Sequence, residues 1–445
     1  MQGAMPESVE TRAKMLEQWT TFWRNRFAHE PRSLQAQRRE AQDAFAQLGY
    51  PLSKNEDWKY TKVHLIAETS WKLAPLAPAP AEPNWPAIRV LLVNGRFVGR
   101  VVHSPWHDKI SIWNWQDAFQ EQLDLLEQHW NRMARWRQHP FAALNTACFQ
   151  DAVIIRVFPN QEIEAPIHIL IHHDANSAEP QACFPRILVC LESGSKATLV
   201  ETYTGGGRHC FTCGVVELLL ERGAHLDYYK VQQEHEQTVH IVQAYARLAA
   251  EAALRTHIVS LGGGLVRNEC DVSLVGQHGN CTLNGLYLAR GRQHVDNHTE
   301  IDHVAPACTS YELYKGILTD HAHGVFHGKI YVHPGAQKTD AKQTNQALLL
   351  SDEAEVDSKP QLEIYADDVR CTHGATVGQL DNQQLFYLRT RGISMEQARS
   401  LLIYAFAEDI ISRIQVDPVR FQLEDILLAE EGLPLESDLR KVHLP

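Results

Sequence analysis

Between Asp151 and Val377 apolar and polar residues alternate in short runs: VIIRV, IHILIHH, RILVCL, ATLVETY, VVELLL, LDYYKV, HIVQAY, LRTHIVSL, NECDVSLV and CTLNGLYLA. Alternation with period two predicts one strand after another. Several runs open after a small-residue turn of similar type: Ser193 to Ala197, Arg222 to Ala224, Glu251 to Ala253, His278 to Asn280 and Pro334 to Ala336. The second residues of these turns, at 194, 223, 252, 279 and 335, are separated by 29, 29, 27 and 56 residues, the last gap being twice 28. Strands at a loose fixed period are the pattern of stacked solenoid coils, each burying its inward side chains against the next. A β-sandwich or barrel with coincidental turn spacing fits the alternation equally well. Gly205 to Gly207 and Gly262 to Gly264 are expected to be turns between strands.

Both ends of the chain follow a helical rhythm. In residues 7–49, Trp19, Trp23, Phe27, Leu34, Ala41, Phe45 and Leu48 recur at roughly helical spacing, with Pro31 and Ser33 separating two helices. Pro51 to Thr61 is turn-rich, and Trp58 and Tyr60 read there as an aromatic anchor. Pro75, Pro78, Pro80, Pro83 and Pro86 make residues 73–86 an extended linker or strap. Ile88 to Val93 and Phe97 to Val102, joined by Asn94-Gly95, predict a hairpin. Trp113 to Trp136 reads as one helix with Phe119, Leu123, Leu126 and Trp130 on one side. Beyond Leu380, Ser394 and Gln397 form a capping box for a helix carrying Ala398, Leu401, Leu402, Ala405, Ile410 and Ile414. Asp417-Pro418 opens a second helix over Val419 to Leu428, stopped by Gly432. The apolar surface left over on this helical pair is either core or a docking face. The expected division is an N-terminal helical region with linker and hairpin (1–145), a β core (146–385) and a C-terminal helical domain (386–445).

Composition narrows the classes of function. With 42 Lys and Arg against 54 Asp and Glu the formal charge is −12, which argues against a broad basic surface for nucleic acid. No apolar run approaches the roughly 18 residues of a membrane span, and MQGAMPESVETRAK lacks the basic-then-apolar order of a secretion signal. A soluble cytoplasmic protein is expected. Nine scattered cysteines, an odd number, argue for reduced thiols, and 24 histidines permit metal chemistry.

Two groups of residues could carry chemistry. If Ile364 to Thr376 is extended, Cys371 and His373 share one face, and a thiol beside an imidazole suits a metal such as iron; the plainer alternative is a buried cysteine and a hydrogen-bonded histidine. His321, His323, His327 and His333 form the densest histidine group, able with Glu300 or Asp302 to make a mononuclear site in a metal-dependent β-helix or cupin-like enzyme, or to stack as hydrogen-bonded ladders in a solenoid. Cys210-Phe211-Thr212-Cys213 stands alone, without the second pair of a zinc site. In Gly324 to Ile330 one residue too few separates the glycines, and Ile330 stands where a phosphate loop needs Ser or Thr, so no bound nucleotide is expected.

The run DDVRCTHGATVGQLD, followed by QLFYLRTRGIS and MEQARSLLIYAFAEDII, resembles the C-terminal part of the SufB and SufD family of the SUF iron-sulfur cluster assembly system, on the SufD side. NEDWKYTKV, PFAALNTACFQDAVIIRV, VDNHTEIDHVAPACTSYELYKGIL and GVFHGKIYVHPGAQKTDAKQTNQALLLSDEAEVDSKPQLEIYADDV are similar to the same family. The resemblance implies a right-handed parallel β-helix core between helical terminal domains. It implies a non-catalytic scaffold that forms a heterodimer with SufB and docks the SufC ATPase on its C-terminal helices, with a homodimer open to the isolated chain. ATP-driven SufC dimerisation would then expose the SufB interface. There His373, with Cys371 as supporting thiol, would hold transient iron or a nascent cluster.

Overall fold

The computed structural model describes residues 29–430, apart from 82–83, 103–104, 175–178 and 208, together with residues 19, 22, 27 and 432. The first expected N-terminal helix lies largely outside the described residues, as do Trp23 and Pro83. Of that helix Trp19 and Phe22 are described, and both are helical and buried.

Two sheets receive successive strands in turn. The first contains Val153–Val157, Arg186–Leu191, Cys210–Leu220, Val239–Leu248, Leu265–Leu274, His294–His303, His323–Val332 and Glu355–Ile364, all bonded in parallel. The second contains Ile167–His173, Lys196–Gly205, His225–Gln232, Ala253–Ser260, Asn280–Ala289, Thr309–Leu318, Asp340–Leu349 and Arg370–Gly378, again in parallel. This alternation makes a β-solenoid of about seven turns. Parallel pairing at every coil excludes the sandwich, whose neighbouring strands run antiparallel.

One corner of each coil is turned by a residue in the left-handed region. Gly194, Gly223, Glu251, His278, Ala307 and Lys338 have φ of 70°, 67°, 61°, 60°, 57° and 61°. Each donates its backbone N–H to a carbonyl of the next corner: Arg222, Ala250, Gln277, Pro306, Gln337 and Asp368. Only two of the six are glycines, so four corners hold a conformation that costs a side-chain-bearing residue on the order of 1 kcal/mol. The ladder of corner bonds holds them there.

Inside, the coils fit by pairing rings with gaps. Gly285 lies in register with Tyr314 and Gly316 with Tyr287. A Cβ on Gly285 would stand 2.2 Å from the Tyr314 ring, and one on Gly316 2.1 Å from that of Tyr287. Both rings are fully buried.

Helices cover the outer face of each sheet. On the first, Arg32–Leu48 and Pro140–Cys148 join Trp19, Trp58, Trp115 and Trp130 in a cluster with Phe211, Val215, Ile241 and Tyr245. On the second, Met395–Ile411 and Asp417–Glu430 press Ile403, Ala407, Ile410, Val419, Leu423 and Leu427 against Tyr229, Val259, Leu286, Leu313 and Ile317. Much of the C-terminal apolar surface is therefore core. The Ser394 capping box forms with Gln397, and Gly432 follows the last helix with φ of 64°. A further helix, Asn382–Thr390, precedes them, capped by Asp381.

The hairpin forms as Ile88–Val93 and Arg96–Val101, with Asn94 and Gly95 at positive φ, and its first strand extends the second sheet beside Ile167–His173. The single helix expected over Trp113 to Trp136 is a correction. Ile110–Asn114 is a strand, antiparallel to Val153–Val157 at the end of the first sheet. Asn114 then caps Trp115–Glu121, Gln122 breaks the helix at φ −134°, and Leu123–His129 ends where Trp130 turns extended. The apolar spacing holds for Phe119, Leu126 and Trp130, all buried, but it does not report the break at Gln122.

Gly285→Ala should destabilise the fold by about 1–3 kcal/mol through overpacking against Tyr314. Gly335→Ala, with nothing within 4 Å of the added methyl, should stay within about 0.5 kcal/mol. Urea unfolding of the two variants checks this; equal midpoints would contradict the interior fit.

Candidate functional site

Among the described residues, no strand pairs with the outer edge of the solenoid's last coil. Arg370–Gly378 bonds to Asp340–Leu349 on one side and is the terminal strand of its sheet, as Glu355–Ile364 is of the other. From Arg370 to Gly378 every residue except Cys371 is exposed. An edge of this kind leaves a row of backbone donors and acceptors ready to pair with another strand.

Cys371 stands in register with Ala341 and His373 with Gln343. Both neighbours are 1 % exposed. The pair therefore does share a face, and it is the inward row of a coil with no successor. Cys371 packs partly against the interior cluster, whereas His373 is exposed. Burial, and then the charge of Asp340, push the Cys371 thiol above its ordinary value. It rests as a thiol, and a bound cation would have to displace its proton.

Directly beneath lies a polar column that the sequence reading does not single out. Glu312, Gln343 and His373 occupy one row on three successive coils. Glu312 is fully buried and accepts a 2.7 Å hydrogen bond from Gln343 Nε2. A Cβ on Gly328 would lie 2.1 Å from that same nitrogen, so the glycine makes room for the amide. Asn345, next on the inward row, donates to Ser358 Oγ at 2.8 Å. Gln343 Oε1 and Asn345 Oδ1 are buried without a hydrogen-bond partner among the described residues, and the Glu312 carboxyl also lies against the Thr299 hydroxyl. The coil spacing carries the signal that finds this column, since 312, 343 and 373 lie 31 and 30 residues apart.

The histidine group is dispersed. His323 Nε2 lies 2.8 Å from Asp357 Oδ2, and its ring centroid is 4.8 Å from that of His294, its register neighbour. His327 stacks in the same way on His298 at 4.8 Å, and its Nδ1 lies 3.9 Å from Asp57. His333 pairs with Asp302 at 2.7 Å, Glu300 with Arg135 at 2.9 Å, and His321 is exposed at a turn. Among the described residues no group of three or more His, Cys, Asp and Glu is arranged to hold a metal ion. His294 with His323 and His298 with His327 form two-rung ladders on the outer face of the first sheet. Burial, the largest cause, holds His294 and His327 down at about 4, so both are neutral.

What the ladders face is the NEDWKYT segment. Thr61 Oγ1 donates to Asp296 Oδ2 at 2.5 Å, Arg267 donates to the Asp57 carbonyl at 2.9 Å, and the Arg267 guanidinium lies 3.7 Å from the centre of the Trp58 ring. Trp58 is the anchor the sequence implies; Tyr60 is only half-buried. Gly324 to Ile330 runs inside a strand. Cys210 and Cys213 are buried three residues apart on another strand, hence on opposite faces.

Burial pushes the Glu312 carboxyl up to about 7, against an ordinary value near 4.3. A raised carboxyl favours the fold while it stays protonated, and that contribution is lost as pH rises through 7. Glu312→Gln should therefore stabilise the protein by on the order of 3 kcal/mol at pH 8 and by almost nothing at pH 4. Denaturation at the two pH values checks it; a gain independent of pH would contradict it.

Comparison with known proteins bears on the same coils. Residues 172–406 match the family described as "SUF system FeS cluster assembly, SufBD core domain", and residues 11–169 match "SufBD protein N-terminal region". The iron-sulfur cluster assembly protein SufD of Escherichia coli is 30 % identical over 412 residues, covering 90 % of this chain and 94 % of that protein. A SufBD family protein of Synechocystis is 29 % identical over 87 % of this chain and 88 % of its own length. SufD of Bacillus subtilis is 27 % identical over 70 % and 71 %. With more than half of its length matched by the core domain and a relative at 30 % identity along nearly all of it, the chain belongs to the SufBD family of iron-sulfur cluster assembly proteins.

Proposed function

We propose that this chain is a non-catalytic scaffold subunit that pairs with a SufB-like subunit through its uncapped coil and carries a SufC-like ATPase on its C-terminal helices. The observation that carries the reading is the terminal strand Arg370–Gly378, exposed at every residue but the half-buried Cys371 and bearing His373 two residues on. A partner strand added to this edge would satisfy its backbone and bring its own side chains over both residues. Iron or a nascent cluster is then cargo at the junction. His373 supplies a nitrogen ligand and Cys371 a supporting thiol, a pair of donors that iron accepts.

The docking of an ATPase is supported by what the helices leave uncovered. Phe386 is 70 % and Tyr387 57 % exposed on Asn382–Thr390, with Met395 and Leu401 also exposed nearby in the chain. Large aromatic side chains held in water are the usual anchors of an interface. Rotation driven by ATP binding in the partner would reach the solenoid through Met395–Ile411, whose opposite face is packed on the second sheet. This chain itself needs no nucleotide for that role, and its place is the cytoplasm; no described helix is long and apolar enough to cross a membrane.

Co-expression with the host's SufB-like and SufC-like proteins, affinity capture and size analysis test the assembly. Removing everything after Gly392 would strip the cover from the second sheet, so the paired substitution Phe386→Ala with Tyr387→Ala is the cleaner probe. It should lose the ATPase and keep the SufB-like subunit. His373→Ala should keep both partners and lower cluster yield by roughly tenfold or more. A full-length chain that purifies alone, or a His373→Ala complex that assembles clusters normally, would overturn the corresponding part of the proposal.

A further inference from the structure

Burying the Gln343 amide with its oxygen left unpaired costs roughly 1–3 kcal/mol. The row that Glu312, Gln343 and His373 continue holds Leu199, Tyr228, Thr256 and Leu283 on the coils below. Glu312 and Gln343 are the two members of that row nearest His373 at the end of the solenoid, and the two joined to each other by a side-chain hydrogen bond. Its geometry fixes which atom of Gln343 is free. Nε2 is committed to Glu312 on the coil before, so Oε1 is the atom left for the coil after. That coil, one strand spacing of about 4.8 Å away, presents His373 in the same row. Two groups in need of a partner thus stand next to each other: a buried acceptor and an exposed imidazole.

We propose that Gln343, held by Glu312, is the positioning residue for His373, its Oε1 accepting the ring N–H while the other ring nitrogen faces the metal. This rests on the reading of His373 as a ligand given above. A histidine that binds a metal through one nitrogen donates from the other, and that second bond sets both tautomer and ring orientation. Glu312 gives the amide its direction: with Nε2 donating to the Glu312 carboxyl, Oε1 is turned toward the next coil and polarised as an acceptor. Gly328 is part of the device, because any side chain there would displace the amide. Gln343 touches no substrate in this scheme and acts through His373.

The test is titration of the full-length chain with Co²⁺ in the absence of oxygen, followed by visible absorption, with His373→Ala defining the part of the signal that depends on this ligand. Gln343→Met, which keeps length and removes the acceptor, should weaken the His373-dependent binding roughly tenfold. Glu312→Gln, a variant expected to fold more stably, frees the amide to turn and should also weaken binding several-fold. The exchange Glu312→Gln with Gln343→Glu puts a carboxylate acceptor back beneath His373, and it should restore binding to within about threefold of the parent. Thermal unfolding of each variant separates loss of fold from loss of orientation. Unchanged binding in Gln343→Met or Glu312→Gln, or an exchanged pair no better than Gln343→Met, overturns the positioning role while leaving His373 as a ligand. A Co²⁺ signal that His373→Ala does not alter shows that the ligand assignment itself has failed, and the positioning role falls with it.

Discussion

A parallel ladder cannot satisfy its own last strand. Each coil of the solenoid spends its backbone donors and acceptors on the coils before and after it, and the final coil has only one of these. At its beginning the chain supplies strands of its own, Ile110–Asn114 antiparallel on the first sheet and, on the second, the Ile88–Val101 hairpin, whose first strand adds in parallel. At the other end it supplies none among the described residues, and there the inward row surfaces as Cys371 and His373. The site is thus a consequence of where stacking stops.

What holds that end in place differs between the two flanks. On the first sheet the N-terminal region is fixed by buried charges: Arg186 pairs with Glu217, which also accepts the backbone N–H groups of Asn131, Met133 and Ala134, and Arg267 lies between Glu269 and Asp296. Breaking one partner of such a pair is costly because the other is left charged and unsolvated. The C-terminal helices are held by apolar packing, with a few polar ties such as Lys315 Nζ to Asp409 at 2.7 Å and the Gln415 N–H donated to Tyr229 Oη at 3.2 Å. The two flanks are thus held differently, by buried charge pairs on the first sheet and by apolar packing on the second.

Most of this architecture is legible in the chain, and the failures have physical causes. Glycine-marked turns at 194 and 223 reveal the coil period, but the gap of 56 hides a corner at Ala307, where the left-handed conformation is adopted without a glycine. Apolar spacing finds Phe119, Leu126 and Trp130 yet cannot see that Gln122 breaks the helix or that Trp113 belongs to an edge strand. The helix Asn382–Thr390 leaves its aromatic residues exposed, so it lacks the amphipathic signature of a covered helix. Alternation places Cys371 and His373 on one face, whereas the role proposed for them comes from family likeness. Glu312 and Gln343 escape notice because a polar residue in an alternating run reads as outward-facing; only the register shows that they point in.

The central claim is that the uncapped coil is the surface at which a SufB-like subunit adds. Amide hydrogen exchange of the full-length chain, alone and with that subunit, tests it most directly. Strand addition predicts strong slowing of exchange along 370–378 and weaker change at the distant Ile88–Val101 hairpin. Complex formation with no slowing along 370–378 would contradict the account.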